Sequence, residues 1–154
     1  MSDPKIEHRI GVKAPPMVVW ELLADIEAWP SWNPIYTKAS GRLGYGAELH
    51  LTQALPDQTP TEIVATVTEW VPDEQILWTT TPNRWLLSTT RYIEIEKLTE
   101  EACIFANGEM LQGWGAAGAA RRYGRSMYKG FELMSEAVKQ RAEAMWLERS
   151  GATR

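Results

Sequence analysis

The feature that most constrains the fold is a change of period near Gln112. Up to that point the chain alternates apolar and polar residues in short runs. From about Ala119 to Leu147 it repeats every three to four residues instead, with Tyr123, Met127, Phe131, Met134, Val138, Ala142 and Met145 in one stripe. The first texture predicts strands and the second one long amphipathic helix, about 43 Å at 1.5 Å per residue. A run of strands with one apolar face needs a cover, and this helix is the element large enough to supply it. The expectation is an α+β fold in which a curved, mostly antiparallel sheet of six to seven strands wraps around one C-terminal helix.

The strands are read in order. Lys5 to Lys13 sets Ile6, His8, Ile10 and Val12 against Lys5, Glu7, Arg9 and Lys13. Ile35 to Ser40 and Ala47 to Gln53 flank the turn residues Gly41 to Gly46, and the loop Pro56 to Pro60 leads to Thr61 to Val71. Pro72-Asp73-Glu74 turns into Gln75 to Thr80, with Ile76 and Trp78 on one side. Pro82-Asn83-Arg84 opens Trp85 to Leu98, where Leu87, Thr89, Arg91, Ile93 and Ile95 share a face, and Ala102 to Gln112 completes the set. Ser150 to Arg154 reads as a frayed tail.

Between the first two strands lies V-K-A-P-P-M-V-V-W-E-L-L-A-D-I-E-A-W-P-S-W-N-P. Pro15 and Pro16 suit a first helical turn, Val19, Leu22, Leu23 and Ile26 recur on one face, and the helix stops by Pro30. Trp29 and Trp32 then bracket a Pro/Ser turn before Asn33-Pro34. The eight tryptophans of the chain are several times ordinary usage, and aromatic rings dominate cores, interfaces and pockets. The knot is read first as a packing plug, with Trp32 and Asn33 at a cavity rim as its functional alternative.

At 154 residues the chain is of single-domain size, so residues 1–154 are read as one domain. One cysteine and two histidines cannot build a zinc site at a recognised spacing, so no metal is expected. A net charge of -4 offers no field for nucleic acid. The N-terminus lacks an apolar signal region and no run is long enough to span a bilayer, which makes the cytoplasm the expected compartment and integral membrane association unexpected. Oligomeric state is left open between monomer and homodimer.

Several motifs, taken in order, resemble the START-like helix-grip superfamily, also called SRPBCC, and within it the polyketide cyclase/dehydrase and lipid-transport group. They are Val12-x-Ala14-Pro15-x-x-x-Val19-Trp20-x-x-Leu23-x-Asp25, Trp29-Pro30-x-Trp32-Asn33-Pro34, Val67-x-Glu69-x-x-Pro72 with Leu77-Trp78, Gly108-Glu109-x-x-x-Gly113, and Gly130-Phe131-x-x-Met134-x-x-Ala137-Val138-Lys139. The resemblance covers almost the whole chain. It implies a helix-grip fold with a hydrophobic tunnel between sheet and last helix, used to bind lipids, polyketides or other small apolar molecules. It does not imply a reaction.

If Phe105 points inward, alternation brings Cys103, Asn107, Glu109 and Leu111 with it. Arg91 on the neighbouring strand then meets Glu109 or Asn107 inside the cavity, and buried polar groups there need partners. Arg91, Asn107 and Glu109 are therefore read as the polar end of the pocket, with Glu109 and Arg91 as catalytic candidates, against the plainer reading of a structural pair or an outward ladder. The remaining candidate wall is Trp32, Asn33, Trp78, Phe105, Tyr123, Met127, Phe131 and Met134. His8 is read as a satisfied core group, His50 as exposed, and Cys103 as lacking a base. Arg121, Arg122 and Arg125 are read as a solvated face.

Gly113-Trp114-Gly115-Ala116-Ala117-Gly118 matches a dinucleotide-binding glycine pattern, but no second β-α unit follows it, so it is read as a hinge between sheet and helix and no cofactor is expected. The functional expectation is binding of a small hydrophobic molecule. A cofactor-free polyketide cyclase or dehydratase acting in the same cavity is the alternative, and an interaction module like the chaperone activators of the superfamily is a further one.

Overall fold

In a computed structural model, residues 3–83 and 86–151 are described; Arg84, Trp85 and the tail residues 152–154 lie outside them. The order is β1 (Lys5–Val12), α1 (Pro16–Ala24), a 3-10 turn (Ile26–Ser31), β2 (Tyr36–Ser40), β3 (Glu48–Gln53), β4 (Thr61–Val71), β5 (Gln75–Asn83), β6 (Leu87–Thr99), β7 (Ala102–Gln112) and α2 (Ala116–Ser150). All seven strands form one antiparallel sheet in the order β1-β7-β6-β5-β4-β3-β2. Every neighbour after β1 is a hairpin partner, while β1 returns to pair with β7. The sheet curls around α2 as a half-barrel, so the fold is the expected α+β helix grip.

Strand β5 runs on to Asn83, past the expected end at Thr80, and three helix boundaries differ from the sequence reading. Helix α2 starts at Ala116 and ends at Ser150, which makes it 35 residues and about 52 Å long. The start was obscured because Gly115 and Gly118 look like loop residues, although a glycine costs an established helix only about 1 kcal/mol. The end is capped by Gly151, whose left-handed φ of 69° brings its N–H to the Leu147 carbonyl, so Ser150 is helix and not tail. Third, α1 ends at Ala24 and the chain continues as a 3-10 turn with Pro30 inside it, a short helix pair in place of one helix reaching Pro30.

The turn from β7 into α2 requires glycine at one position. Gly113 sits at φ 106°, and a Cβ there would press on the Leu86 backbone. The hinge is thus a close backbone crossing between the β5–β6 connection and the start of α2, fixed by the Gly115 N–H bonded to the Leu86 carbonyl at 2.7 Å.

The core is uneven along α2. Phe131, Met134, Val138 and Ala142 are fully buried in the apolar cluster, with Met127 almost so, whereas Ala119 and Tyr123 nearer the helix start are only partly covered. The helix packs on β1 and β7 and, through its second half, closes the core with α1. The tryptophan knot belongs to this closure. Trp29 is wholly buried, donates to the Leu23 carbonyl at 3.0 Å, and lies 5.3 Å from Tyr36 and 6.0 Å from Trp78 between ring centroids. It is a plug that caps α1 and anchors β2 and β5 together.

Candidate functional site

The face shared by β6 and β7 carries a polar row through the apolar core. Alternation puts Arg91 on β6 and Asn107 and Glu109 on β7 on the concave side, and register pairs Arg91 with Glu109. Arg91 is 2% exposed, which makes the disposal of its charge the central question. Its Nε donates to the Tyr36 hydroxyl at 3.0 Å, Nη1 to the carbonyls of Gly108 at 3.1 Å and Tyr92 at 3.3 Å, and Nη2 to Asn107 Oδ1 at 2.9 Å and Met134 Sδ at 3.3 Å. Those are all five of its N–H groups. The guanidinium also lies 4.1 Å from the Phe131 ring centroid and 5.6 Å from that of Trp78, where ring faces attract a cation.

Asn107 is equally committed. It is fully buried, and its Nδ2 donates to the Phe131 carbonyl at 3.1 Å and to Ser135 Oγ at 2.8 Å. Arg91 and Asn107 therefore bolt β6, β7, β2 and α2 together and keep no donor for an incoming molecule. The hydrogen bonds of Arg91 and Asn107, expected at the polar end of the pocket, are thus spent inside the protein, although Arg91 still borders a cavity.

Glu109, two residues along, is the reverse. Among the described residues its carboxylate makes no hydrogen bond and no salt bridge, although Arg91 is its partner in register. Burial pushes its pKa up to about 7, with the Arg91 charge pulling the other way. A carboxyl at that value is half protonated near neutral pH and can accept or donate a proton.

Glu109 borders two adjoining cavities. One, about 340 Å³, lies between β3, β4, β5 and β6 and is lined by Gln53, Thr61, Ile63, Trp78, Thr80, Thr81, Thr89, Arg91 and Glu109 among others. The other, about 430 Å³, lies under the start of α2 and is lined by Gln53, Leu55, Gln58, Thr59, Thr61, Leu87, Thr89, Glu109, Leu111, Ala119, Tyr123 and Met127. They share Gln53, Thr61, Thr89 and Glu109. Both volumes are in the range of small-molecule sites. The loop after β3 forms one wall and is held to α2, since Ser126 Oγ donates to the Pro56 carbonyl and Gly130 leaves room for Leu55.

Of the residues singled out from sequence, Trp78, Arg91, Glu109, Tyr123 and Met127 line these cavities. Phe105, Asn107, Phe131 and Met134 do not; they are fully buried in the core around Arg91. Trp32 and Asn33 line neither cavity. Asn33 Oδ1 accepts from the Ile35 N–H at 3.1 Å, and both its Nδ2 and Trp32 Nε1 are buried without an acceptor among the described residues. His8 differs from expectation too. Its Nδ1 is buried without a partner, its Nε2 stands 3.9 Å from Glu132, and its ring meets Tyr128 edge-on at 5.6 Å. His50 is exposed, and burial raises the Cys103 thiol to about 11, far from a reactive thiolate.

Sequence reasoning missed the cavity's hydroxyl and amide lining, namely Gln53, Gln58, Thr59, Thr61, Thr80, Thr81 and Thr89. Thr89 was legible, since it alternates with Arg91; Thr80 bonds it at 2.6 Å between hydroxyl oxygens across the β5–β6 pair. The larger concavity, about 600 Å³, lies by the start of α1 and the turns at Asp73 and Glu100. It is ringed by the exposed side chains of Asp73, Glu74, Glu96, Lys97 and Glu100 and holds no buried polar side chain, so chemistry does not favour it.

With this geometry in place, the family model for polyketide cyclase / dehydrase and lipid transport matches residues 3–142. The chain belongs to this family. Solved structures agree on the fold. The Zhui aromatase/cyclase from Streptomyces sp. R1128 superposes with a TM-score of 0.74 at 16% identity, covering 91% of this chain and 93% of that one. A START superfamily protein from Mycobacterium smegmatis gives 0.70 at 16%, covering 92% and 98%. Norcoclaurine synthase from Thalictrum flavum, solved with dopamine and hydroxybenzaldehyde, gives 0.67 at 13%, covering 89% and 84%. No curated protein sequence matches the chain. Membership in the polyketide cyclase / dehydrase and lipid transport family supports hydrophobic ligand binding or cyclase chemistry in general. No helix among the described residues is long and apolar enough to cross a membrane.

Proposed function

We propose that the protein binds a small, largely apolar molecule bearing at least one carbonyl or hydroxyl group, with the apolar body beneath α2 and the oxygen function at Glu109. The observation that carries this is the unpartnered Glu109 carboxyl at the junction of two cavities, one walled by Leu55, Leu87, Leu111, Tyr123 and Met127 and the other by threonines. An apolar body gains from leaving water, and a polar group that enters with it needs a partner that the protein has not already used. Glu109 is such a partner, whereas Gln53 Oε1 and the Thr89 hydroxyl already bond Tyr36 and Thr80. The interaction-module reading expects a filled interior and draws no support from these cavities.

A second reading has one specific observation in its favour. A carboxyl with a pKa of about 7 suits a cofactor-free cyclase or dehydratase. In its ionised form Glu109 takes a proton from a carbon beside a substrate carbonyl; once protonated, it returns that proton to a hydroxyl leaving as water or to the new oxygen of a closed ring. The cavity supplies positioning and Arg91 a fixed positive charge nearby.

The test is gentle mass spectrometry of the purified protein for a retained molecule, together with tryptophan-fluorescence titration with fatty acids, sterols and aromatic polyketones, for wild type and Glu109→Gln. Retention or saturable binding that weakens in the variant supports the proposal. Unchanged affinity and unchanged turnover in Glu109→Gln for every compound that binds would refute it. Turnover lost with affinity kept selects the second reading.

A further inference from the structure

We infer that the N-terminal end of α2 docks on an anionic lipid surface. Residues 113–129 read G-W-G-A-A-G-A-A-R-R-Y-G-R-S-M-Y-K, with Arg121, Arg122, Arg125 and Lys129 and no acidic residue, in a chain whose net charge is -4. At 100° per residue these four cations fall within an arc of about 100°, facing away from the stripe of Tyr123, Met127 and Phe131 that meets the sheet. All four are exposed. Farther along the same arc the sign reverses at Glu132 and Glu136, so the basic face is confined to the first half of the helix.

At the tip of that half stands Trp114, 87% exposed, beside Leu86 at 49%. The two are held next to one another by the Gly115 N–H bonded to the Leu86 carbonyl. A nearly bare indole on a tight glycine crossing contributes nothing to the core. An indole with an apolar neighbour, followed within two helical turns by arginines, has the composition of an interfacial anchor: rings at the headgroup level and cations against phosphate. The charge pattern chooses the occupant, since a protein of net negative charge meets an anionic surface only through a local basic face. Leu87, Ala119 and Tyr123, which line the larger cavity, adjoin these residues in sequence.

The test is flotation of the full chain with vesicles of phosphatidylcholine alone and of phosphatidylcholine doped with phosphatidylglycerol, at low and high sodium chloride. The expected result is binding to the doped vesicles only, lost at high salt. Arg121→Gln with Arg125→Gln weakens it about fivefold per arginine, and Trp114→Ser abolishes it, both with an unchanged unfolding midpoint. Glu109→Gln floats like wild type, which separates this inference from the ligand reading. No flotation, equal flotation with both vesicle types, or variants that float like wild type would each overturn it, the first and last assigning the face to a soluble acidic partner or to solvent.

Discussion

Asn107 and Glu109 stand two residues apart on one strand, on the same concave face, yet their circumstances are opposite. Asn107 is saturated: it accepts from Arg91 and donates to Phe131 and Ser135. Glu109 has no partner among the described residues and borders both cavities. The difference comes from α2. Opposite Asn107 the helix is close enough to offer Ser135 and a carbonyl, while opposite Glu109 its first turns stand away from the sheet. One polar group thereby became part of the scaffold and the other was left for whatever enters. A buried polar side chain is evidence of a binding site only after its hydrogen bonds have been counted.

The comparison breaks most decisively at Arg91. Arg91→Ala strips donors from Tyr36, Asn107 and two carbonyls at once and is expected to cost at least about 3 kcal/mol, read from urea unfolding; a loss under about 1 kcal/mol would show that the scaffold half is not a scaffold. Next is the pH dependence of Glu109. Its folded pKa of about 7 exceeds the ordinary 4.5, so the native state holds a proton that the unfolded chain has released. Stability should therefore fall as pH rises from about 4.5 through 7, by a total of the order of 3 kcal/mol. Glu109→Gln removes that slope, and a variant whose stability tracks wild type across this window would place Glu109 in water. Asn107→Ala comes third, at about 2 kcal/mol, because it leaves Ser135 and the Phe131 carbonyl short of a donor and frees one Arg91 N–H. It should lower the urea midpoint with little change in ligand affinity at temperatures where the protein stays folded. Thr89→Val is smallest. It breaks one hydroxyl pair at the cavity wall, for less than about 1 kcal/mol of stability, and the sharper readout is ligand affinity in the fluorescence titration, which should drop more than stability does.

The polar row shows how far the sequence reaches. Alternation along Ala102 to Gln112 put Cys103, Phe105, Asn107, Glu109 and Leu111 on one face, and the structure has them there. What alternation lacks is depth. It could not say that Asn107 lies where the helix touches the sheet and Glu109 where it does not, nor that Arg91 would satisfy all five donors internally. The threonine lining was missed for a related reason: Thr59, Thr61, Thr80 and Thr89 come from separated elements, and only the curl of the sheet brings them around one space. Trp32 and Asn33, expected at a cavity rim, line neither cavity. Their place in a stiff, indole-rich turn drew attention to them, but Trp29 fills the space between that turn and Trp78.

The sequence by itself determined the element order, the antiparallel sheet, the amphipathic helix that covers it and the face on which each strand residue lies. Those are matters of local period and steric preference, which neighbouring residues encode. Only the tertiary structure decided where sheet and helix meet and where they part, and hence which buried polar groups bond to one another and which face a cavity. That depends on the curvature of seven strands and the docking of one long helix, a balance struck among residues far apart in the chain.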